Sequence, residues 1–268
     1  MKLQKGQVAV VTGGALGIGK GMVLALAQKE VSVVSIDIID AENLNTIAEA
    51  GKYANNCMAL TCDCSNMDQI NEAVDKIMGV YGRIDILINN VGGFVETRFI
   101  EDSFYDGLDK FDEMITINTK STYAFTLKIA PIMKQQGSGG IINVLTNHLH
   151  RDICPVSSYE HAYDCAKYAQ MSLNMSMAEE LKEYGIRVNA IDPAATATEM
   201  LEVFFNKLGM ELNLDNIEKV TGTRSLLYPE DTALAAIYLL EWEDPQPVGK
   251  NYLLRYREDC EALQHVLI

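Results

Sequence analysis

The sequence predicts an α/β fold in which a doubly wound, seven-stranded parallel sheet is covered by helices on both faces. Three observations lead to this prediction: seven short apolar segments of strand type, helix-length segments between them, and an unbroken alternation of the two. The 268 residues suffice for one such domain with a large core, and no linker, repeat or low-complexity tract divides them. We therefore expect a single domain over residues 1–268.

The positions of the elements follow from local composition and spacing. Seven segments rich in β-branched and other apolar residues are predicted as strands: Val8–Thr12, Val31–Asp37, Met58–Cys62, Ile84–Asn89, Gly140–Leu145, Ile186–Ile191 and Asn251–Arg255. The longer segments between them are predicted as helices: one that ends near Gln28, then Asn66–Tyr81, Lys110–Gln136, Ala162–Tyr184 and Pro229–Leu240. Because helices connect the strands, neighbouring strands are expected to run parallel.

One stretch, Thr198–Tyr228, breaks this regular order. It is rich in Phe, Leu and Met but poorly periodic, so we expect a lid over a site at about residues 198–228. Phe204, Phe205, Leu208 and Met210 are its candidate apolar surface. The alternative is one amphipathic helix that packs these side chains on its own domain or on a neighbouring subunit.

The chain is acidic, with a formal net charge of −15 and a pI near 4.7. Nucleic-acid backbones are bound by clustered Lys and Arg, so we expect no nucleic-acid partner. The N-terminus lacks a hydrophobic signal core, and no apolar run approaches the length that a bilayer requires. We therefore expect no membrane contact and a cytoplasmic protein, in which the six cysteines are thiols.

Two short patterns raise the question of a metal site. Cys62-Asp-Cys64 has a one-residue gap that does not match the usual zinc spacing, and no second cysteine pair answers it. His148 and His150 are also close in sequence, but no carboxylate partner is evident. We expect no metal ion.

A glycine-rich turn, Thr12-Gly-Gly-Ala-Leu-Gly-Ile-Gly19, joins the first strand to the first helix. The glycines at positions Gly13, Gly17 and Gly19 let the backbone turn tightly and come close to a phosphate. Backbone N–H groups at the start of a helix bind such an anion locally, even on an acidic protein. The turn therefore predicts a dinucleotide site.

The second strand ends at Asp37, about twenty residues after the glycine turn, where a carboxylate can accept hydrogen bonds from the adenosine ribose. The same carboxylate repels an added 2′-phosphate. Ser35, Ile36 and Ile38 flank it, so no Arg or Lys lies beside it in the sequence. These residues predict NAD rather than NADP.

A tyrosine and a lysine four positions apart open the helix after the fifth strand, in the run Tyr163-Asp-Cys-Ala-Lys167. Positions four apart share one face of a helix, so the ammonium can lie beside the phenol and favour the phenolate. None of the other tyrosines has a lysine at this spacing. The pair is therefore a candidate for acid–base chemistry.

Three further landmarks follow in order along the chain. Asn89-Asn-Val-Gly92 ends the fourth strand, Asn118 lies in the long helix, and Pro193-Ala-Ala-Thr-Ala-Thr198 follows the sixth strand. With the glycine turn and the Tyr163–Lys167 pair, they resemble the motifs of the short-chain dehydrogenase/reductase family over about residues 6–200. The resemblance implies a Rossmann-type sheet and an enzyme that moves hydride between NAD and a carbonyl or secondary alcohol.

The resemblance also implies roles for single residues. Tyr163 would exchange the substrate proton, Lys167 would bind the nicotinamide ribose, and Asn118 would connect this relay to solvent through water. Thr198 would bind the nicotinamide carboxamide, and Asp63 would bind the adenine edge. The residues expected to contact NAD are Gly13, Leu16, Gly17, Ile18, Gly19, Asp37, Ile38, Asp63, Cys64, Asn90, Gly92, Tyr163, Lys167 and Thr198.

The chain departs from the family at the catalytic serine. After the fifth strand the run is Asn143-Val-Leu-Thr146, so the resemblance implies that Thr146 holds the substrate oxygen. Thr146 lies 17 residues before Tyr163, which is a longer spacing than the family usually has. His148, Ser157 and Ser158 in the intervening loop are therefore rivals for this role.

The predicted function is NAD-dependent interconversion of a secondary alcohol and a ketone. The apolar lid favours a bulky substrate such as a hydroxysteroid, whereas His148, His150, Arg151 and His161 would suit a polar one. Two other functions stay open: an epimerase or dehydratase on the same scaffold, and a non-catalytic NAD(H)-binding sensor. Family members commonly assemble through their two long helices, so the resemblance implies a homotetramer or homodimer.

Overall fold

The computed structural model describes residues 1–152, 154, 159–222, 224–242 and 249–260. Seven strands form one sheet: β1 (Val8–Thr12), β2 (Ser32–Asp37), β3 (Met58–Thr61), β4 (Ile86–Asn89), β5 (Gly139–Val144), β6 (Ile186–Pro193) and β7 (Asn251–Leu254). Their order across the sheet is β3-β2-β1-β4-β5-β6-β7, and every neighbouring pair is parallel. The predicted α/β fold with a seven-stranded parallel sheet is confirmed.

Helices connect the strands and cover both faces of the sheet. They are α1 (Gly17–Gln28), α2 (Asp40–Ala50), α3 (Met67–Tyr81), α4 (Phe104–Met114), α5 (Ser121–Gln136), α6 (His161–Leu181), α7 (Glu199–Lys207), α8 (Leu214–Thr221) and α9 (Pro229–Glu241). The predicted helix Lys110–Gln136 begins earlier, at Phe104, and a π-helical turn over Ile115–Lys120 divides it into α4 and α5. No helix within the described ranges is long and apolar enough to cross a membrane.

Strand alternation assigns the core residues to two layers. Ala9 and Val11 of β1 face the cluster that contains residues of α1 and α9, whereas Val8 and Val10 face the cluster of α3, α5 and α6. Both faces of the sheet are thus buried, as expected when parallel strands are connected by helices. The strand order reverses between β1 and β4, and this switch point places a cleft at the carboxyl ends of the strands.

Helix α2 was not predicted, because its buried face is polar. Its buried residues are Asn43, Thr46 and Ala50, which do not form an apolar stripe. The Asn43 side-chain amide donates to the backbone carbonyls of Ser35 and Leu60, at 3.1 and 3.2 Å. The Thr46 hydroxyl donates to the Ala15 carbonyl at 2.8 Å. These hydrogen bonds hold α2 on the sheet edge and on the glycine turn, with Ile47 and Ala50 adding a small apolar contact with the core.

Phe204 and Phe205 lie on α7 and Leu208 lies at its carboxyl end, so the lid and the amphipathic helix both stay predictions. The predicted lid segment contains two helices, α7 and α8. The left-handed residues Gly209 and Gly222 lie beyond their carboxyl ends. Phe205 of α7 and Ile217 of α8 have fully buried side chains. A parallel bridge between Thr196 and Leu227 closes its base, so the lid leaves and rejoins the domain at one place.

The buried amide of Asn43 gives a test of how α2 is held. We expect Asn43→Ala to lower the free energy of unfolding by about 1–3 kcal/mol, because two buried carbonyls lose their donor. Asn45→Ala, on the exposed face of the same helix, should change it by less than about 0.5 kcal/mol. Urea unfolding of both variants measures the difference, and equal effects would contradict this account of α2.

Candidate active site

The glycine turn forms a tight backbone cradle between β1 and α1. Gly13 and Gly17 have φ angles of 65° and 52°, which favour glycine. A Cβ added at Gly19 would lie 1.9 Å from the Gly13 carbonyl oxygen, so a larger residue requires the backbone to move. Leu16 precedes α1 in an extended conformation, and Ile18 is half-buried. The cradle ends at a helix N-terminus, whose free N–H groups suit a phosphate.

Asp37 lies directly beside this cradle. Backbone N–H groups hold both carboxylate oxygens, Ala15 donating to Oδ2 and Ile39 donating to Oδ1, each at 3.0 Å. The carboxylate is half-buried, whereas the following side chain, Ile38, is 64% exposed. The contact with Ala15 ties the end of β2 to the glycine turn.

Asp63 and Cys64 follow β3 on the same edge of the sheet. Ser65 donates to Asp63 Oδ1 from its backbone N–H at 2.8 Å and from its hydroxyl at 2.7 Å. The Cys64 side chain is buried. A hydrogen bond with Cys62, burial, and the nearby carboxylates of Asp37 and Asp63 raise the pKa of the Cys64 thiol. The two carboxylates therefore flank one small region next to the cradle.

The loop after β4 closes the other side of the cradle. The side-chain amide of Asn90 donates to the carbonyls of Thr12 and Gly13, at 3.0 and 2.9 Å. At Gly92 an added Cβ would come within 2.7 Å of Asn118 Oδ1 and 3.6 Å of Lys167 Nζ. This backbone consequently approaches the predicted catalytic groups closely.

The predicted catalytic residues Thr146 and Tyr163 are brought together. Thr146 Oγ1 accepts from the backbone N–H of His148 at 3.4 Å, and the ring of His148 lies against Tyr163. Burial raises the pKa of Tyr163 above its ordinary value, and the hydrogen bond with Thr146 opposes that rise. The rivals Ser157 and Ser158 lie outside the described residues, and the His148 ring packs edge-on against Tyr163 at 5.7 Å.

Lys167 is 4% exposed and lies next to the phenol ring rather than on its oxygen. Its Nζ is 5.8 Å from the Tyr163 ring centroid and donates to the Val144 carbonyl and to Gln170 Oε1, both at 3.1 Å. The carbonyl and the amide use two of the three N–H groups of the ammonium, which lies beside the phenol ring. Burial lowers the pKa of Lys167 to about 8, and the charge of Asp192 opposes that effect.

Asn118 is fully buried in the π-helical turn. Its side-chain amide donates to the carbonyls of Met114 and Gly93, at 3.0 and 3.1 Å, and its Oδ1 accepts from Gly93 N–H at 3.3 Å. The Asn118 carbonyl accepts the Thr122 hydroxyl at 3.1 Å. Asn118 thus joins the distorted turn to the loop that approaches Lys167.

The start of the predicted lid contacts both the cradle and the predicted catalytic residues. A Cβ added at Gly17 would lie 3.0 Å from Thr198 Cγ2, so Thr198 packs on the glycine turn. The Phe94 ring lies edge-on to Tyr163 at 5.8 Å and to Phe204 of α7 at 6.1 Å. An aromatic wall therefore extends from the predicted catalytic tyrosine to the lid.

Charged side chains cover another side of Tyr163. Asp164 accepts from His148 Nδ1 at 3.0 Å and from Arg151, and Glu160 lies 3.7 Å from His148. His161, which was grouped with them in the sequence, pairs with Thr97 instead. No group of three or more His, Cys, Asp or Glu side chains in the described part of the chain is placed to hold a metal ion.

Comparisons with known proteins agree with this geometry. A family model described as short chain dehydrogenase matches residues 7–208. The chain belongs to the short-chain dehydrogenase/reductase family. It is 30% identical to secoisolariciresinol dehydrogenase of Forsythia intermedia over 93% of this chain and 88% of that protein. It is 34% identical to 2-dehydro-3-deoxy-D-gluconate 5-dehydrogenase of Escherichia coli (strain K12) over 72% of this chain and 73% of that one.

A solved structure has the same fold as this short-chain dehydrogenase/reductase. It is a 7α-hydroxysteroid dehydrogenase complexed with NADH and 7-oxo glycochenodeoxycholic acid. The TM-score is 0.80 at 26% identity, and the match covers 95% of each chain. The likeness thus extends beyond the motifs to nearly the full length of both proteins.

Two residues that contact or act on Lys167 were missed by the sequence interpretation. Gln170 accepts from Lys167 and donates to the Thr122 hydroxyl at 2.8 Å, which continues the chain of hydrogen bonds to Asn118. Asp192 lies in β6 and acts on Lys167 through its charge. A buried amide or carboxylate in an otherwise ordinary helix or strand is the signal that would have found them, and it requires knowledge of burial.

The cradle of this short-chain dehydrogenase/reductase can be tested at Gly19. We expect Gly19→Ala to lower the melting temperature and to weaken NADH binding at least about tenfold, since its methyl group collides with a backbone carbonyl. Gly79→Ala is the matched control, because it lies within α3 and its added Cβ meets nothing within 4 Å. Calorimetry measures the melting temperatures, and fluorescence titration measures the affinity for NADH. Unchanged NADH affinity in Gly19→Ala would contradict the assignment of the cradle to cofactor binding.

Proposed function

We propose that this enzyme is an NAD-dependent oxidoreductase that interconverts a secondary alcohol and a ketone. The observation that carries the proposal is that the phenol of Tyr163 lies beside the ammonium of the buried Lys167 and the ring of His148, next to Thr146. This group lies at the same sheet edge as the glycine cradle and Asp37. A reactive carbonyl held there would meet one hydroxyl that donates a hydrogen bond and one that exchanges a proton.

The residues of the cleft fit NAD. At Gly19 and Gly92 an added Cβ would collide with Gly13 and Asn118, so only glycine permits the close backbone packing that shapes both ends of the cleft. The proposed contacts of the adenosine and pyrophosphate half are Gly13, Leu16, Gly17, Ile18, Gly19, Asp37, Ile38, Asp63 and Cys64. Those of the nicotinamide half are Asn90, Gly92, Tyr163, Lys167 and Thr198. When bound, NAD supplies the hydride chemistry.

Tyr163 is the proposed acid–base residue. Its ordinary pKa is about 10, and burial raises the pKa further, so its phenolate needs support. Thr146 supplies part of it by hydrogen bonding, and the nearby positive charge of Lys167 is proposed to supply more when the site is assembled. Oxidation of an alcohol would move its proton to Tyr163, and reduction of a ketone would take that proton back.

Thr146 and Asn118 have supporting roles. Because Thr146 Oγ1 accepts the His148 N–H, its own proton is free to point at the substrate oxygen or at Tyr163. Asn118 shapes the turn beside Lys167 through its two bonds to Gly93. We propose that protons pass between Lys167 and solvent at this turn, as the family resemblance implies.

The walls of the site favour a bulky, apolar substrate such as a hydroxysteroid. Phe94 and Phe204 form an apolar surface that starts at Tyr163 and ends on the lid. The similar fold of a 7α-hydroxysteroid dehydrogenase supports the same choice. The opposite wall, with His148 and Asp164, would hydrogen-bond a polar group on such a molecule.

Exposed apolar side chains support a homodimer or homotetramer. On α4, Phe104 and Tyr105 are 76% and 77% exposed, and Leu108 follows one turn later on the same surface. On α5, Tyr123 and Leu127 are also exposed and one turn apart. Apolar side chains thus cluster on the exposed face of each helix, and we propose that another copy of the chain covers them.

A substrate screen tests the proposed reaction. Hydroxysteroids, alicyclic alcohols, sugar-derived alcohols and the corresponding ketones are mixed with enzyme and NAD or NADH, and NADH absorbance is followed. We expect the highest turnover with bulky apolar substrates. Binding of NADH without turnover of any secondary alcohol or ketone would contradict the proposal and favour a dinucleotide sensor.

The position of Asp37 predicts the cofactor preference. We expect kcat/KM to favour NAD(H) over NADP(H) by one to three powers of ten, at about 1.4 kcal/mol per tenfold. The carboxylate is held by two backbone N–H groups and would repel a 2′-phosphate. Asp37→Ser should reduce the preference. Equal kcat/KM values for the two cofactors in the unaltered enzyme would contradict the assignment.

The hydroxyl of Thr146 predicts a distinct pair of substitutions. Thr146→Val nearly keeps the shape but removes the hydroxyl that is proposed to bind the substrate oxygen, so kcat should fall about 10²–10³-fold. Thr146→Ser keeps the hydroxyl and should retain activity. Steady-state kinetics are compared with melting temperatures and NADH binding, which should both be unchanged. A nearly silent Thr146→Val together with an inactive His148→Ala would move the role to His148.

A further inference from the structure

A histidine–aspartate pair lies at the end of β6, one residue beyond the strand partner of Val144, and takes no part in the proton exchange described above. His150 Nε2 lies 2.7 Å from Asp192 Oδ2. The Asp192 side chain is 0% exposed, whereas that of His150 is 29% exposed. The pair therefore connects a fully buried carboxylate to a side chain that meets solvent.

The sheet brings this carboxylate to the same side as the lysine. The Lys167 ammonium donates to the carbonyl of Val144, whose partner across the β5–β6 ladder is Ile191. Asp192 is the next residue of β6, and strand alternation places it on the face of Val188, which packs in the cluster beneath α6. Ammonium and carboxylate thus lie on one face of the sheet at adjacent strand ends.

The two charges support each other in a buried setting. Burial lowers the pKa of Lys167 to about 8, and the negative charge of Asp192 opposes it. Burial raises the pKa of Asp192 to about 6, and His150, Asn251 and Lys167 all oppose that rise. Asp192 Oδ1 is buried without a hydrogen-bond partner among the described residues, so its charge acts through space.

Other titratable groups near Lys167 are directed elsewhere. The ring of Tyr163, on the same helix, packs edge-on against Phe94 and His148. The carboxylate of Asp164 pairs with the side chains of His148 and Arg151. Within the described part of the chain, the hydrogen bonds of Lys167 go to neutral groups: a backbone carbonyl of β5 and the amide of Gln170. A neutral carbonyl and amide hold the position of the ammonium but do not balance its charge.

We propose that Asp192, held by His150, is the counter-ion of Lys167 and acts as a positioning residue that keeps the lysine protonated in the assembled site. Asp192 does not touch the reacting atoms in this assignment. Asp192 and Lys167 together define a pH range for this interaction. The pKa of Asp192, about 6, sets its acidic limit, and the pKa of Lys167, about 8, sets its alkaline limit. Between these values both partners are charged.

The direct test is the titration of Lys167 itself. The ¹³Cε resonance of Lys167, assigned with Lys167→Arg, is followed with pH in the unaltered enzyme and in Asp192→Asn. We expect the Lys167 midpoint to fall by about one pH unit or more in Asp192→Asn, since an opposite charge at short range shifts a pKa by about 1–3 units. An unchanged midpoint in a variant with an unchanged melting temperature would overturn the proposal.

Asp164→Asn is the matched control. Asp164 is also a buried carboxylate paired with a histidine, but its partners are His148 and Arg151. The midpoint of Lys167 should stay the same in this variant. An equal fall in both variants would show a general effect of lost negative charge and would overturn the specific role of Asp192.

A second measurement does not depend on the folding of Asp192→Asn. In the unaltered enzyme the Lys167 resonance should show a smaller inflection near pH 6, where Asp192 titrates. His150→Gln removes a group that favours the ionised carboxylate, so this inflection should move to higher pH. Absence of the inflection, or an inflection that His150→Gln does not move, would overturn the proposal.

The link to catalysis is tested separately, because it rests on the proposed function. If protonated Lys167 holds the nicotinamide ribose, Asp192→Asn should raise the Kd of NADH about fivefold to tenfold at pH 8 and little at pH 6, as expected for a pKa lowered by about one unit. A lowered Lys167 midpoint with unchanged NADH affinity would support the counter-ion and contradict the cofactor role of Lys167.

Discussion

The arrangement of the site depends on the burial of one ammonium group. Lys167 is 4% exposed, and a buried charge is costly unless hydrogen bonds and an opposite charge compensate for it. The carbonyl of Val144 provides a hydrogen bond from the sheet, and Gln170 provides one from the same helix. Asp192 provides the opposite charge from β6. The burial of the Lys167 charge is therefore compensated only when β5, β6 and α6 are packed together, so the site forms only in the completed fold.

The same constraint reaches the loops around the cleft. The side-chain amide of Gln170 donates to the Thr122 hydroxyl, and that hydroxyl donates to the carbonyl of Asn118. Asn118 in turn fixes Gly93, and the neighbouring position Gly92 has no space for a side chain. The short loop after β4 and the π-helical turn are thus held against the lysine by a continuous set of contacts, and together they shape the nicotinamide end of the proposed cofactor site.

Much of this could be read from the sequence, and what was missed has a physical reason. Runs of β-branched residues predict strands such as β1. The four-residue spacing of Tyr163 and Lys167, in the helix that follows the fifth strand, predicts that the two side chains share one helix face. Helix α2 was missed because Asn43 and Thr46 hold it through hydrogen bonds, which leave no apolar periodicity. Asp192 was missed because a carboxylate at the end of a strand is usually expected to be exposed to solvent. Only the fold shows that this one is buried.

The central claim is that Tyr163 exchanges the proton of a substrate held at Thr146 beside NAD. Its most direct test is Tyr163→Phe, assayed with the best substrate from the screen and by NADH titration. The account predicts that kcat falls at least about 100-fold, the lower bound for loss of a general acid–base group, while the Kd of NADH changes little. Retention of more than a few per cent of the activity, with NADH still bound, would contradict it.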